Sequence, residues 1–483
     1  MPEYLKPDVY VQRMANSAPP IEAVGTATAG MIGVFRRGTP NDPMFITGWE
    51  DFKRQTALGL DTPYIADSDT VYAVRQFFKN GGNRLFIDRI VGDGAVKASV
   101  DIGDTSAVMF EALSVGEWGN EVSVEVISNE DEITLFDIII RVEGEQQETF
   151  RKLSDTAEDD NYYMTVINSE TIGSDFVRVT DDTGTLTVTA ETTLTSGDSD
   201  LTTLTDVDYT EALQDFNKID DVNILAVPGQ TAKAVQQGLL DYCENRGDVF
   251  AIVDSSSNLD PTGAKEEKNQ LASPYGAYYY PWLKVLDPLS ASGGKRLVPP
   301  SGFIAGIYAR TDVDRGVHKT PAGLEARVMG AVEVETKLAS EDIELLNPDN
   351  VNCIVPKKGQ GIVVWGGRLI SEHLDRKYVS DMRFDIMVEE SCYEQTQWTI
   401  FEPNTPELWG RIKSALHGFL YGLWEEGALF GETPEEAYYI KCNEDLNPQE
   451  IRDAGKVIVE VGYAKVKPAE FTILRFAQKT NEQ

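Results

Sequence analysis

The sequence predicts a multidomain α/β (mixed α+β) protein. It has an α/β core, an inserted all-β domain and a C-terminal α+β domain with exchanged terminal strands. Three observations lead there. Apolar runs of strand length alternate with helical stripes over residues 21–92 and again over 209–370. The stretch between them, 93–208, is rich in Thr, Val and Ile and carries 27 acidic residues against 5 basic ones. From 371 onward, helices rich in Leu, Phe and Trp give way to short strands that run almost to the end of the chain.

The elements follow in order. Residues 1–20 form an arm in which Val9, Tyr10 and Val11 are a strand-like piece with little to pack against, cut off by Pro19-Pro20. Thr28–Phe35 is a buried strand. Asp67–Lys79 is a helix with Val71, Val74, Phe77 and Phe78 on one face, stopped by Asn80-Gly81-Gly82, and Arg84–Val91 is the next strand. In the acidic segment, period-2 runs such as Thr185–Thr189 alternate with turn signals such as Asn129-Glu130-Asp131. The core resumes with strand Val222–Val227, helix Thr231–Asn245 and strand Val249–Val253. The strands on either side of the insert are expected to share one sheet, since neither half completes a layer. Tyr275–Arg310, aromatic and rich in Pro and Gly, is expected to hold strands and irregular loops. In the C-terminal domain, 371–467, Phe384–Trp398 is helical. Thr405 caps a second helix with Pro406 in its first turn. Leu408, Ile412, Leu416, Phe419, Leu420 and Leu423 form its apolar stripe. Strands are expected at Tyr438–Lys441, Val457–Tyr463 and Phe471–Phe476, the last lying in a linking segment, 468–483.

Composition narrows the function. At 483 residues the chain is too long for one core. A net charge of −36 repels phosphate backbones and anionic lipid, which argues against nucleic-acid partners and membrane surfaces. No apolar run reaches the length of a membrane span. Met1–Ala18 holds no apolar run of signal-peptide length, which predicts synthesis in a cytoplasm. Cys243, Cys353, Cys392 and Cys442 are far apart and are expected to be free thiols.

Catalytic motifs are scarce. His318, His373 and His417 stand at no metal-ligand spacing, Gly293-Gly294-Lys295 lacks the rest of a phosphate-binding loop, and Val222–Gly229 leads into a helix without a glycine fingerprint. Asp312 with Asp314, and Asp254 with its serines, are candidate cation ligands or ordinary turn residues. Tyr278–Trp282 is a candidate sugar platform or a packed strand. No enzyme activity and no cofactor are expected.

Phrases spread over nearly the whole chain carry a family resemblance. They include Gly302–Asp312 (GFIAGIYARTD) with Gly316–Ala322, Leu346-Asn347-Pro348, Gly361–Arg368 (GIVVWGGR), Trp398–Asn404 (WTIFEPN), Gly427–Gly431 and Lys467–Phe471. Pro20–Thr26 and Phe77–Gly82 extend the match toward the start. In their order and spacing they resemble the sheath subunits of contractile tails: phages, R-type bacteriocins and extracellular injection systems. The resemblance implies six-fold rings stacked helically around an inner tube, and contraction that drives the tube through a target envelope. It implies as partners the chain itself, the tube protein, and baseplate and tail terminator proteins. The setting would be a virion tail or an extracellular contractile particle, assembled in a bacterial cytoplasm.

Candidate site residues follow. Val9, Tyr10 and Val11 at one end, and Phe471, Ile473, Leu474, Arg475 and Phe476 at the other, are expected to add as strands to a sheet of another subunit. Its acceptor residues are Tyr439, Ile440, Val457, Val459 and Val461. By the resemblance the C-terminal helix faces the tube, and Arg411 and Lys413 flank its apolar stripe. Two other readings stay open: a tail-associated surface or receptor module that binds carbohydrate, and a hydrolase whose carboxylates the spacing does not reveal.

Overall fold

The computed structural model describes residues 21–57, 63–65, 68–103, 108–181, 184–290, 292–373 and 376–473. Val9, Tyr10 and Val11, and Leu474, Arg475 and Phe476, lie outside the described residues. The chain divides into two compact units. One comprises Thr26–Asp314 and Thr320–Val379; the other gathers residues 21–25, Arg315–Lys319 and the chain from Ser380.

In the first unit, Ala29–Gly33 buries every residue. A strand covered on both faces cannot afford alternating polar residues, which is why AGMIG is a continuous apolar run. It pairs in parallel with Leu85–Arg89 on one side and Ile224–Ala226 on the other. The sheet continues in parallel through Phe250–Asp254, Gly276–Tyr280 and Val351–Lys357. Antiparallel strands Met44–Ile46 and Gly361–Val364 complete its eight strands. The strands on either side of the acidic segment therefore share one sheet, as expected. The Gly361–Val364 edge does not stay open, because Val328 N–H donates to Ile362 O at 2.9 Å and Gly323 N–H to Val364 O at 2.9 Å.

Helices Thr70–Lys79 and Lys233–Arg246 form close to their expected bounds. The stretch after Tyr275 departs from expectation. Strands Gly276–Tyr280, Leu283–Leu286 and Lys295–Val298 are present, but residues 301–315 form one helix, Ser301–Arg315. Gly302 and Gly306, part of that Pro- and Gly-rich stretch, stand about one turn apart on the side that meets Thr70–Lys79. A Cβ at Gly302 would lie 2.3 Å from Ala73 O, and one at Gly306 would lie 2.5 Å from Phe77 O. The glycines serve close helix–helix approach rather than a turn.

The acidic segment builds two sheets. One orders Thr189–Thr193, Val122–Ser128, Phe136–Val142 and Glu145–Leu153; the other Ser99–Ile102, Val108–Ala112 and Val177–Asp181. Trp118, Phe110, Tyr163 and the inward valines of these strands form a hydrophobic cluster of their own. It is not purely β, since Tyr163–Ile167 is a short helix. Thr185–Val188, expected as a strand, is irregular; the strand starts at Thr189. Where the chain enters the insert, the buried Arg89 guanidinium joins it to the core. It donates to Phe35 O (2.9 Å) and Gly38 O (2.8 Å) of the core, and to Val115 O (2.9 Å) and Ser199 Oγ (3.3 Å) of the insert.

The second unit has its own core, in which the stripe Leu408, Ile412, Leu416, Phe419, Leu420 and Leu423 meets Phe384, Met387 and Val388. Ile21 is buried there, Val24 packs against it, and Val24 N–H donates to Ser391 Oγ at 3.0 Å. The unit boundaries thus fall at Thr26 and Ser380 rather than at 21 and 371. Among the described residues no helix is long and apolar enough to cross a membrane.

Candidate assembly interface

In doubly wound sheets ligands bind beyond the carboxyl ends of the strands, where the strand order reverses. Here that point lies between Ala29–Gly33 and Ile224–Ala226, and the protein fills it with its own groups. A Cβ on Gly33 would lie 2.0 Å from Thr70 Oγ1, and one on Gly229 would lie 2.9 Å from Asp69 Oδ2. Arg296 donates to Asp69 at 3.0 Å, and its guanidinium lies over the Tyr72 ring at 4.3 Å. Asp254, a candidate cation ligand, accepts from Ser301 N–H (2.6 Å), Ser301 Oγ (2.7 Å) and Gly229 N–H (3.2 Å). Burial pushes its carboxyl up to about 7, while these three donors pull the other way. Asp312 sits on the Ser301–Arg315 helix and accepts from Thr26 Oγ1 at 2.7 Å. The aromatic run is packed inside: Tyr278, Tyr279 and Tyr280 are fully buried, and the Tyr279 and Tyr308 hydroxyls lie 2.6 Å apart. It offers no sugar platform.

The C-terminal unit presents open surface instead. Tyr438–Lys441 pairs antiparallel with Glu460–Tyr463, with Ile440 opposite Val461. The second strand starts at Glu460 rather than Val457, so Val457 and Val459 precede it. The cause is Asn447, whose side chain accepts from Ile458 N–H (2.7 Å) and donates to Ile458 O (2.9 Å), occupying that backbone. Tyr439 and Lys441 both bond Glu460, at 2.8 and 3.2 Å. These bonds, Tyr439's foremost, hold the Glu460 carboxyl below its ordinary range. Behind the sheet, Lys465 Nζ meets Asp385 Oδ2 at 2.8 Å and Tyr463 donates to Asp385 Oδ1 at 2.8 Å, anchoring it to helix Val379–Gln395. Two strands make a marginal sheet in water. Phe471 and Ile473, 71% and 80% exposed, follow it without joining a strand of this chain.

Helix Pro406–Glu425 starts as expected, with Thr405 Oγ1 accepting from Leu408 N–H at 3.4 Å. Arg411 turns back onto its own unit: its guanidinium lies 4.5 Å from the Trp398 ring and 3.4 Å from Glu402. Lys413 is exposed. Gly410, Gly418 and Gly422 on the same helix have nothing within 4 Å of where a Cβ would stand. Sequence reasoning passed over Phe401, which is fully exposed at φ 65°, next to the exposed Ile400. A bulky residue in the left-handed region is an outlier, and no sequence signal marks it.

The chain thus combines a doubly wound core, an interrupting β domain and a separate C-terminal unit. The phage tail sheath protein central domain matches residues 202–368, and the phage tail sheath C-terminal domain matches residues 375–479. Together they span more than half of the chain, and the chain belongs to the phage tail sheath family. A prophage major tail sheath protein of Pseudomonas aeruginosa is 24% identical over 251 residues, 51% of this chain and 62% of that protein. The match thus spans less than two thirds of that relative's length. The sheath of an extracellular contractile injection system in its contracted state shares the fold, with TM-score 0.64, 22% identity and 99% of each chain covered. A sheath tail protein of Listeria innocua does so with TM-score 0.66 and 14% identity, over 92% of this chain and 96% of that one.

Proposed function

We propose that the chain polymerises into a contractile sheath. Subunits form six-fold rings, stacked helically around an inner tube, and contraction drives that tube through a target envelope. Baseplate and terminator proteins cap the polymer, in a virion tail or an extracellular particle assembled in a bacterial cytoplasm. The observation that carries this reading is the C-terminal unit: an anchored two-stranded sheet followed by exposed, strandless Phe471 and Ile473. Strand addition from other copies satisfies such a sheet, and contacts that do not close on themselves give helical polymers. Val9–Val11 and Phe471–Phe476 are the donors, and Tyr439, Ile440, Val457, Val459 and Val461 the acceptor side. The Pro406–Glu425 helix faces the tube with Lys413, and with Arg411 once it leaves Glu402.

The family is structural, and among the described residues no group of His, Cys, Asp and Glu is placed to hold a metal ion. The carbohydrate-binding alternative loses its platform, since the aromatic run is buried. Negative-stain microscopy of the purified protein separates these readings. Cylinders or ring stacks support a sheath; discrete monomers that bind glycans overturn it.

A further inference from the structure

Two more arginines reach from the core to the insert, beyond the Arg89 contact. Arg36 and Arg37 follow the strand Ala29–Gly33, whose parallel neighbour Leu85–Arg89 ends at the same edge of the sheet. Both strands therefore deliver arginines to the place where the insert begins. Arg36 pairs with Glu121 and, at 3.1 Å, with Glu143. The Arg37 guanidinium lies 5.0 Å from the Trp118 ring and 5.3 Å from the Phe176 ring, within cation–π range, and it donates to Asp175 O. Glu121 closes the 3-10 turn Glu117–Glu121, Glu143 sits between strands Phe136–Val142 and Glu145–Leu153, and Asp175 precedes Val177–Asp181. Two adjacent core residues thus hold three separate segments of the insert.

The joint they make is polar and not filled. The insert's hydrophobic cluster shares no residue with the core cluster around Leu225 and Val253. Beside Arg37 the joint opens into a cleft of about 540 Å³, lined by Met44 and Arg54 from the core and by Leu113, Glu148 and Phe176 from the insert. A close-packed interior leaves no such space. The chain crosses between the two parts at a narrow neck, where Gly92 N–H donates to Ser199 O (3.0 Å) and Val96 and Asp198 exchange backbone bonds (2.9 and 3.1 Å). Arg89 braces this neck through Val115 O and Ser199 Oγ. Domains that meet over a small polar surface move against each other unless specific contacts hold them. We propose that the insert is a hinged arm that turns as a folded body about the neck, residues 92–96 and 198–199, and that Arg36 and Arg37 are the clamp that docks it on the core. Released from the clamp, it swings away and widens the cleft with its own cluster intact. The joint lies within a single chain, so it does not depend on polymerisation.

Spin labels at Arg54→Cys and Gln147→Cys, which face the cleft from the core and from the insert, report the joint by pulsed electron paramagnetic resonance of the full chain diluted with unlabelled chain. Cys392→Ser removes the native thiol that is not buried. With the arginines intact the labels should show one narrow distance. Arg36→Ala with Arg37→Ala should shift most of the distribution to longer distances. Glu121→Gln with Glu143→Gln, which loosens Arg36 from the insert side, should shift it in the same direction, so one variant suffices if the other fails to fold. A second label pair, at the exposed Glu130→Cys and Glu170→Cys, lies wholly on the insert and should keep its distance throughout. An unchanged cleft distance in the folded variants overturns the clamp. Broadening of the insert's own pair overturns it as well, since the arginines would then hold the insert's fold rather than its position. A broad cleft distance with the arginines in place would show that there is no docked position, and also overturn it.

Discussion

Lys465 Nζ lies 2.8 Å from Asp385 Oδ2, with side-chain exposures of 13% and 5%. This near-buried ion pair fastens the chain just after Glu460–Tyr463 to the Val379–Gln395 helix, and so holds one side of the proposed acceptor sheet in place. A pair this dry stabilises only as a pair. Removing one partner strands a buried charge, whereas replacing both with apolar groups costs little. Asp385→Asn should destabilise the C-terminal unit by about 3 kcal/mol, while Asp385→Leu with Lys465→Met should recover most of that. Denaturant unfolding of Asp385→Asn, of the single variants Asp385→Leu and Lys465→Met and of their double variant checks it; additive losses in the last three would deny the coupling.

Glycines divide into two kinds here. Gly302→Ala should cost about 2 kcal/mol or more, because its Cβ meets Ala73 backbone that cannot give way. Gly418→Ala, in a helix interior with open space around it, should stabilise the isolated chain by about 0.5–1 kcal/mol. Thermal melts of the two variants should move in opposite directions.

The four cysteines should react as thiols of different accessibility. Cys243, Cys353 and Cys442 are buried, whereas Cys392 is half-buried with its thiol pushed up to about 11 by desolvation. A thiol reagent at neutral pH should label Cys392 first and slowly, and the others only on unfolding. Intact mass under non-reducing conditions should show no cross-linked ladder from assembled particles; such a ladder would mean that oxidation locks the polymer.

Replacing residues 93–208 with a short linker tests the acidic insert. Its hydrophobic cluster is separate from that of the core, so the shortened chain should fold and still polymerise. A folded variant that no longer assembles would make the insert part of the lattice.

How much was legible varied with the kind of signal. The buried strands Ala29–Gly33 and Phe250–Asp254 and the helix Pro406–Glu425 stood out because continuous apolar runs, a full apolar stripe and a Thr405-Pro406 start are local signals. The Ser301–Arg315 helix was missed because Tyr275–Arg310 as a whole reads as rich in Pro and Gly, and only the facing Ala73 and Phe77 explain Gly302 and Gly306. Val457–Val459 was missed as irregular because the competitor is the Asn447 side chain, eleven residues from the Ile458 backbone it bonds. Of the candidate interface, the strand Tyr438–Lys441 was visible from its sequence. Arg411's engagement with Trp398 and Glu402 and the exposed Phe401 depend on a tertiary arrangement that no local pattern encodes.

The most direct measurement is electron microscopy of the full chain beside a chain ending at Pro468, each produced with its tube protein. The full chain should form cylinders with six-fold rings, and the truncated chain, missing the segment proposed as donor strand, should remain a soluble folded monomer. Normal cylinders from the truncated chain would contradict strand exchange as the link between subunits.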